Sequence, residues 1–207
     1  MEYRDLDYEY VAELYQRQQD LQVEAQEIIH ELDIVSRLAV VGEVYQIGSL
    51  VSGLMVWRDI DFTIVCRQRS SLDIFNAMLP ILSDEHVIKV EFLNEMGLHE
   101  PSGKPEDERL YFVLRYETAP GHIWKMDFSF WFTMEGRGEI MHPHQLREQL
   151  TEETRLAILW LKDLWRRSPN YPYEVGGYEI YDAVLNFDVR TPERLRAYLI
   201  AHGLPVD

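Results

Sequence analysis

Cysteine is nearly absent from this chain. Cys66 is the only one, so no disulfide framework can form within the chain. Long hydrophobic runs are missing as well: no stretch approaches the roughly 20 apolar residues that a membrane-spanning helix needs. The opening residues Met1 to Asp7 (MEYRDLD) carry neither the positive n-region nor the apolar h-region of a secretory signal. These absences lead to the expectation of a soluble cytoplasmic protein that makes no use of a membrane. Basic residues are scarce, with 20 Lys and Arg against 36 Asp and Glu and a formal net charge of -16. So acidic a chain disfavours duplex DNA or bulk RNA as the main partner, because neutralising phosphates requires a basic surface. A cationic small molecule is the more natural guest. Internal repeats, low-complexity tracts and Gly/Ser linkers are also lacking.

What is present suits a globular protein. At 207 residues and 46% hydrophobic content, the chain can bury a core as one large domain or two small ones. From about Tyr8 to Ser36 apolar residues recur at helical spacing (Val11, Leu14, Tyr15, then Ile28, Ile29, Leu32), which predicts one or two amphipathic helices. Ser71 to Ser83 predicts a helix whose last turn is disturbed by Pro80. His86–Leu93, Arg109–Glu117 and His122–Phe132 read as strands, and Thr118-Ala-Pro-Gly121 between the last two predicts an antiparallel hairpin. Gly97 to Asp107, polar and holding Pro101, Gly103 and Pro105, reads as an exposed loop. From about His144 helical patterning takes over, with helices expected over Leu146–Arg167, Tyr178–Phe187 and Pro192–His202, the last opened by Thr191-Pro192. Strands first and helices last predict an α/β sheet domain over residues 1–142 and a helical C-terminal subdomain over 143–207, with a ligand cleft between them.

The most informative stretch is Gly48-Ser49, nine residues, then Asp59-Ile60-Asp61. Val44 to Ser49 reads as a strand running into a tight turn, and Asp59–Cys66 (DIDFTIVC) as the next strand. Alternation puts Asp59, Asp61 and Thr63 on one face and Ile60, Phe62 and Ile64 in a core. Cys66 falls in the apolar register and reads as a small core residue. Two carboxylates on one face repel, a cost that a divalent cation removes, and oxygen-only ligation suits Mg2+ held together with nucleotide phosphates. In Trp124–Phe132 the aromatic and apolar positions Trp124, Met126, Phe128, Phe130 and Phe132 alternate with Lys125, Asp127 and Ser129. Asp127 is therefore a lone acid in mid-strand, facing a cation, a ligand or solvent, where Lys125 or Arg115 could pair with it.

Gly-Ser, a spacer of this length and Asp-x-Asp together resemble the signature of the nucleotidyltransferase superfamily. The chain looks most like the small bacterial enzymes that adenylylate aminoglycosides or lincosamides. The resemblance implies an α/β fold, a mixed sheet with flanking helices followed by a helical C-terminal subdomain. It implies Mg2+ as cofactor and ATP, or another nucleoside triphosphate, as co-substrate. Asp59 and Asp61 match the metal-binding pair, and Asp127 the third acid, serving as metal ligand and catalytic base. Glu91, which shares a strand face with Lys89, is the rival base. Gly48 and Ser49 would approach the terminal phosphates. Arg155, Lys162 and Arg166 form a basic stripe on one helix, and Lys162 is the residue matched to a phosphate-holding lysine, with a solvated helix face as the plain alternative. Tyr178 and Tyr181 could stack on the nucleotide or belong to the core. His142-Pro143-His144 reads as the connector between subdomains. The acceptor is expected to be a small cationic molecule rather than nucleic acid, and the protein a monomer or homodimer. Alternatives are an antitoxin-type enzyme that modifies a partner protein, and a catalytically silent scaffold.

Overall fold

The computed structural model of the chain describes residues 6–172 and 174–206. In chain order the elements are α1 (Tyr8–Glu31), α2 (Ile34–Leu38), β1 (Gly42–Ile47), α3 (Gly48–Ser52), β2 (Asp59–Cys66), α4 (Ser71–Leu82), β3 (Val87–Glu95), β4 (Arg109–Ala119), β5 (His122–Trp131), α5 (Gly138–Gln149), α6 (Glu152–Trp165), α7 (Gly177–Asn186) and α8 (Pro192–Ala201). The strands form one mixed five-stranded sheet in the order β1-β2-β5-β4-β3, in which only the β2–β5 pair is parallel.

The described chain divides into two compact units that interleave in sequence. One contains residues 22–52 and 57–145, hence the whole sheet; the other contains residues 6–21, 53–56 and 146–206. The first part of α1 groups with the C-terminal helices.

In the sheet unit, alternation along β2, β4 and β5 sends one set of side chains into the core. Phe62, Phe112, Phe128 and Phe130 are fully buried there, with Phe62 and Phe128 stacked at 5.4 Å. Ala25, Ile28 and Ile29 of α1 and Ile74, Met78 and Ile81 of α4 are also buried, as their helical spacing requires. Each large apolar side chain so buried stabilises the fold by roughly 1.5–3 kcal/mol. Glu24 of α1 accepts hydrogen bonds from Trp124 Nε1 (2.9 Å), Thr118 Oγ1 (2.8 Å) and Arg58 Nη2 (3.2 Å). Burial alone would raise its carboxyl, but these donors together hold it below the usual glutamate range.

The second unit has its own core, including Leu14, Ala157, Ile158, Leu161, Ile180, Val184, Leu195 and Leu199. Asp163, 1% exposed, accepts hydrogen bonds from Tyr10 (2.8 Å), Arg17 (2.5 Å) and Arg166 (3.0 Å). Burial raises its carboxyl, and the Tyr10 and Arg166 bonds with the Arg17 charge bring it below the ordinary aspartate value.

Over residues 8–36 the structure has two helices, α1 and α2, separated by Asp33 in the left-handed region at φ 47°, a conformation that Asp tolerates better than most residues. Two local expectations need correction. The single helix expected over 146–167 is broken before Thr151, which caps α6 by accepting from the Thr154 N–H while the Thr154 hydroxyl accepts from its own N–H. His142-Pro143-His144 is not a connector but lies within α5, which starts at Gly138. Pro80 falls inside α4 without ending it at that residue. The Ser83 N–H and hydroxyl both donate to the Leu79 carbonyl and close the last turn.

Candidate functional site

The site begins where β1 ends. Gly48 has φ 71°, a conformation in which an L side chain is strained, and a Cβ there would collide with Oδ2 of Asp61. Glycine is required on both counts, and it lets the Asp61 carboxylate come up against the turn. Ser52 Oγ donates to the Gly48 carbonyl at 3.3 Å, which helps to hold the turn. Ser49 follows in α3 and is buried.

The antiparallel β1–β2 register sets Ile47 opposite Asp61, and the parallel β2–β5 register sets Asp61 opposite Asp127 and Asp59 opposite Lys125. Side chains at opposed positions share a face, so the acids come together across two strands. Carboxylate oxygens of Asp59, Asp61 and Asp127 lie within 4.8 Å of one another. Lys125 reaches into the group: its ammonium donates to Asp127 Oδ2 and lies 3.6 Å from Asp59 Oδ1. Burial pulls the Lys125 ammonium down, but attraction to Asp59 and Asp127 outweighs it and holds the group above the ordinary lysine value. Tyr111, one register step along the same face on β4, is raised by burial first and by the Asp127 charge second.

Further along this face stand Thr63, which lies 3.4 Å from Glu139 Oε1, and Ser129, which accepts from Arg109 Nη1 at 3.0 Å. The Arg109 guanidinium lies over Trp131 (4.9 Å) and Tyr111 (4.2 Å), and Arg137 over Trp131 (3.6 Å). Tyr111, Arg109 and Arg137 were not among the residues singled out from the sequence. The period-2 alternation of β4 (Arg109, Tyr111, Val113, Arg115) was the available signal for the first two.

Of the remaining candidates, Glu91 stands apart from the acids. Glu91 occupies the same transverse row as Asp127, but Val113 of β4 intervenes, which puts it two strand spacings, about 10 Å, away. Its carboxylate accepts from Lys89 at 2.7 Å, and that bond lowers it below the ordinary glutamate value. Lys162 belongs to the other unit and is not on a solvated face: it is 2% exposed and donates to the Leu54 carbonyl (2.7 Å) and the Tyr181 hydroxyl (2.9 Å). Its partners on the expected stripe are tied too, Arg155 to the Gly53 carbonyl at 2.9 Å and Arg166 to Asp163. Tyr178 is exposed. Cys66 is a buried thiol pushed up to about 12 by desolvation.

The donor set suits a hard divalent cation. The three carboxylates converge, Asp127 Oδ1 is buried with no hydrogen-bond partner among the described residues, and an ammonium already stands at the cluster in the role of a cation. No other group of three or more candidate metal ligands occurs among the described residues.

The mixed sheet with its flanking and C-terminal helices is a nucleotidyltransferase fold, and the acids lie on its paired strands. Solved structures that share it include a cytoplasmic RNA terminal U-transferase (17% identity, TM-score 0.59, covering 87% of this chain and 54% of that one). Others are the Cid1 poly(U) polymerase with Mg and 3′-dATP bound (18%, TM-score 0.58, 87% and 55%) and Cid1 with its short product ApU (17%, TM-score 0.61, 86% and 53%). The chain spans about half the length of these structures. No family model matches the sequence, and no curated protein matches it. No described helix is long and apolar enough to cross a membrane.

Proposed function

We propose that this protein is a Mg2+-dependent nucleotidyltransferase that moves a nucleoside monophosphate, AMP from ATP, to a hydroxyl of a small cationic acceptor of the aminoglycoside or lincosamide kind. The observation that carries the reading is the convergence of Asp59, Asp61 and Asp127 against a glycine turn on this fold. Mg2+ held by those carboxylates would supply charge stabilisation at the α-phosphate and the leaving pyrophosphate. Gly48 and Ser49 border the phosphates. Asp127 takes the proton of the acceptor hydroxyl as it attacks. The net charge of -16 supports a protonated amine as the acceptor's handle.

A second reading has its own support. The similar structures include an RNA terminal U-transferase and a poly(U) polymerase, and the half-buried Arg109, Tyr111 and Trp131 stand as guanidinium and aromatic groups on the face that carries the acids. Such surfaces suit stacking of a nucleic-acid base. The acceptor would then be the terminal hydroxyl of an RNA, with UTP a candidate donor.

One experiment separates the two. The protein is incubated with Mg2+ and each labelled triphosphate against aminoglycosides, lincosamides and a short single-stranded RNA. Label on an aminoglycoside or lincosamide supports the first reading, and elongation of the RNA supports the second. The Asp61→Asn protein serves as the control; transfer that survives in it unchanged would refute both.

A further inference from the structure

Among the described residues, the ammonium of Lys125 stands where the acid cluster would receive a metal. Two independent constraints put it there. Parallel register sets Lys125 directly across from Asp59, and strand alternation sets it on the face of Asp127 two residues on. The side chain is 13% exposed, so this is not a solvated surface pair. Along its own transverse row the next residues are Arg115 on β4 and Lys89 on β3, both cations. The cations of that row therefore favour the position of Lys125 against the acids.

Mg2+ needs carboxylate oxygens at about 2.0–2.1 Å. Oδ2 of Asp127 is engaged by the ammonium, and Oδ1 of Asp59 is 3.6 Å from it. A dication bound to those atoms would stand within a few ångströms of a like charge, so the two cations compete for one place.

We propose that Lys125 is the resident counter-ion of the cluster: its ammonium holds the three carboxylates together before metal arrives, and a divalent cation binds by displacing it. The inference rests on the metal-site reading above and adds an exchange step that sets the metal concentration at which the site fills.

The test is calorimetric titration of the whole chain with Mn2+ alone, without nucleotide and at constant ionic strength. Lys125→Met, which removes the charge, is expected to bind Mn2+ roughly 10-fold or more tightly than wild type. Lys125→Arg, which keeps the charge, stays near wild type. Without metal, Lys125→Met melts below wild type, and saturating Mn2+ raises its Tm by more than it raises that of wild type. Lys125→Gln, which keeps a donor for Asp127, provides the same comparison should the Met protein not fold. Equal or weaker Mn2+ binding by the uncharged variants, with wild-type binding intact, overturns the exchange and leaves the metal reading standing. Absence of Mn2+ binding in every protein overturns both.

Discussion

Asp61→Asn probes the acid cluster at its centre, because Asp61 is opposite Asp127 and against the Gly48 turn. With carboxylate oxygens within 4.8 Å of one another, each like-charged pair repels by about 3.5 kcal/mol at an effective dielectric near 20. The amide removes two of the three repulsions, those with Asp59 and Asp127. It also removes one attraction, to Lys125, of comparable size. One repulsion's worth remains as the gain. Screening by solvent at this partly exposed position reduces it to about 1–2 kcal/mol. For a chain of this length that corresponds to a rise in Tm of roughly 2–8 °C. The assay is thermal unfolding in EDTA, repeated across a Mg2+ titration, alongside nucleotidyl transfer. The wild type gains stability as Mg2+ is added and the variant gains less, while transfer falls on the order of 1,000-fold. A Tm below wild type in EDTA would refute the electrostatic account of the cluster. Near-wild-type turnover at saturating Mg2+ would refute the metal assignment itself.

Three further outcomes are expected. Gly48→Ala strains a left-handed turn and drives a Cβ into the Asp61 carboxylate, so stability drops by about 1–3 kcal/mol and transfer falls with it; unchanged activity would show that the close approach is not needed. Glu24→Ala leaves Trp124, Thr118 and Arg58 without their shared acceptor and costs about 2–4 kcal/mol in denaturant titration. Because the folded-state carboxyl is lowered, the wild-type contribution is full above the unfolded glutamate range and is lost as pH falls through the lowered value, so the gap between the two proteins should close in acid. Lys162→Met deprives the Leu54 carbonyl and the Tyr181 hydroxyl of a donor and lowers stability by about 1–3 kcal/mol in denaturant titration. Unchanged stability would show that these two bonds do not hold the helical unit.

Much of this protein was legible in its sequence, because the signals concerned are local. Strand alternation in DIDFTIVC separated Asp59 and Asp61 from Ile60 and Phe62 without any knowledge of a partner strand, and β2 has the predicted bounds. The same reasoning isolated Asp127 within β5, and Thr191-Pro192 marked the start of α8. The Gly48-Ser49 spacing pointed to the fold through its resemblance to a superfamily signature, and the structure supplies the reason for the glycine: only a residue without a Cβ permits both the turn and the approach of Asp61. The Thr151 cap was readable in principle, because Thr151 and Thr154 stand at capping-box spacing.

What only the tertiary structure decided is non-local pairing. That β5 inserts beside β2 in parallel, some 60 residues away in sequence, is what sets Asp127 against Asp61 and Lys125 against Asp59. Alternation assigns a residue to a face but says nothing of which strand lies next to it or in what register. The distance of Glu91 from the acids follows from the interposed β4, which no local pattern reveals. Lys162 and Asp163 are the same case on a helix: charged residues read as surface by default, and their burial depends on acceptors and donors at Leu54, Tyr181, Tyr10 and Arg17 that the fold brings from distant parts of the chain. A buried charge is tolerated only where such partners exist, and partners remote in sequence are supplied by packing, which the order of residues encodes only through the completed fold.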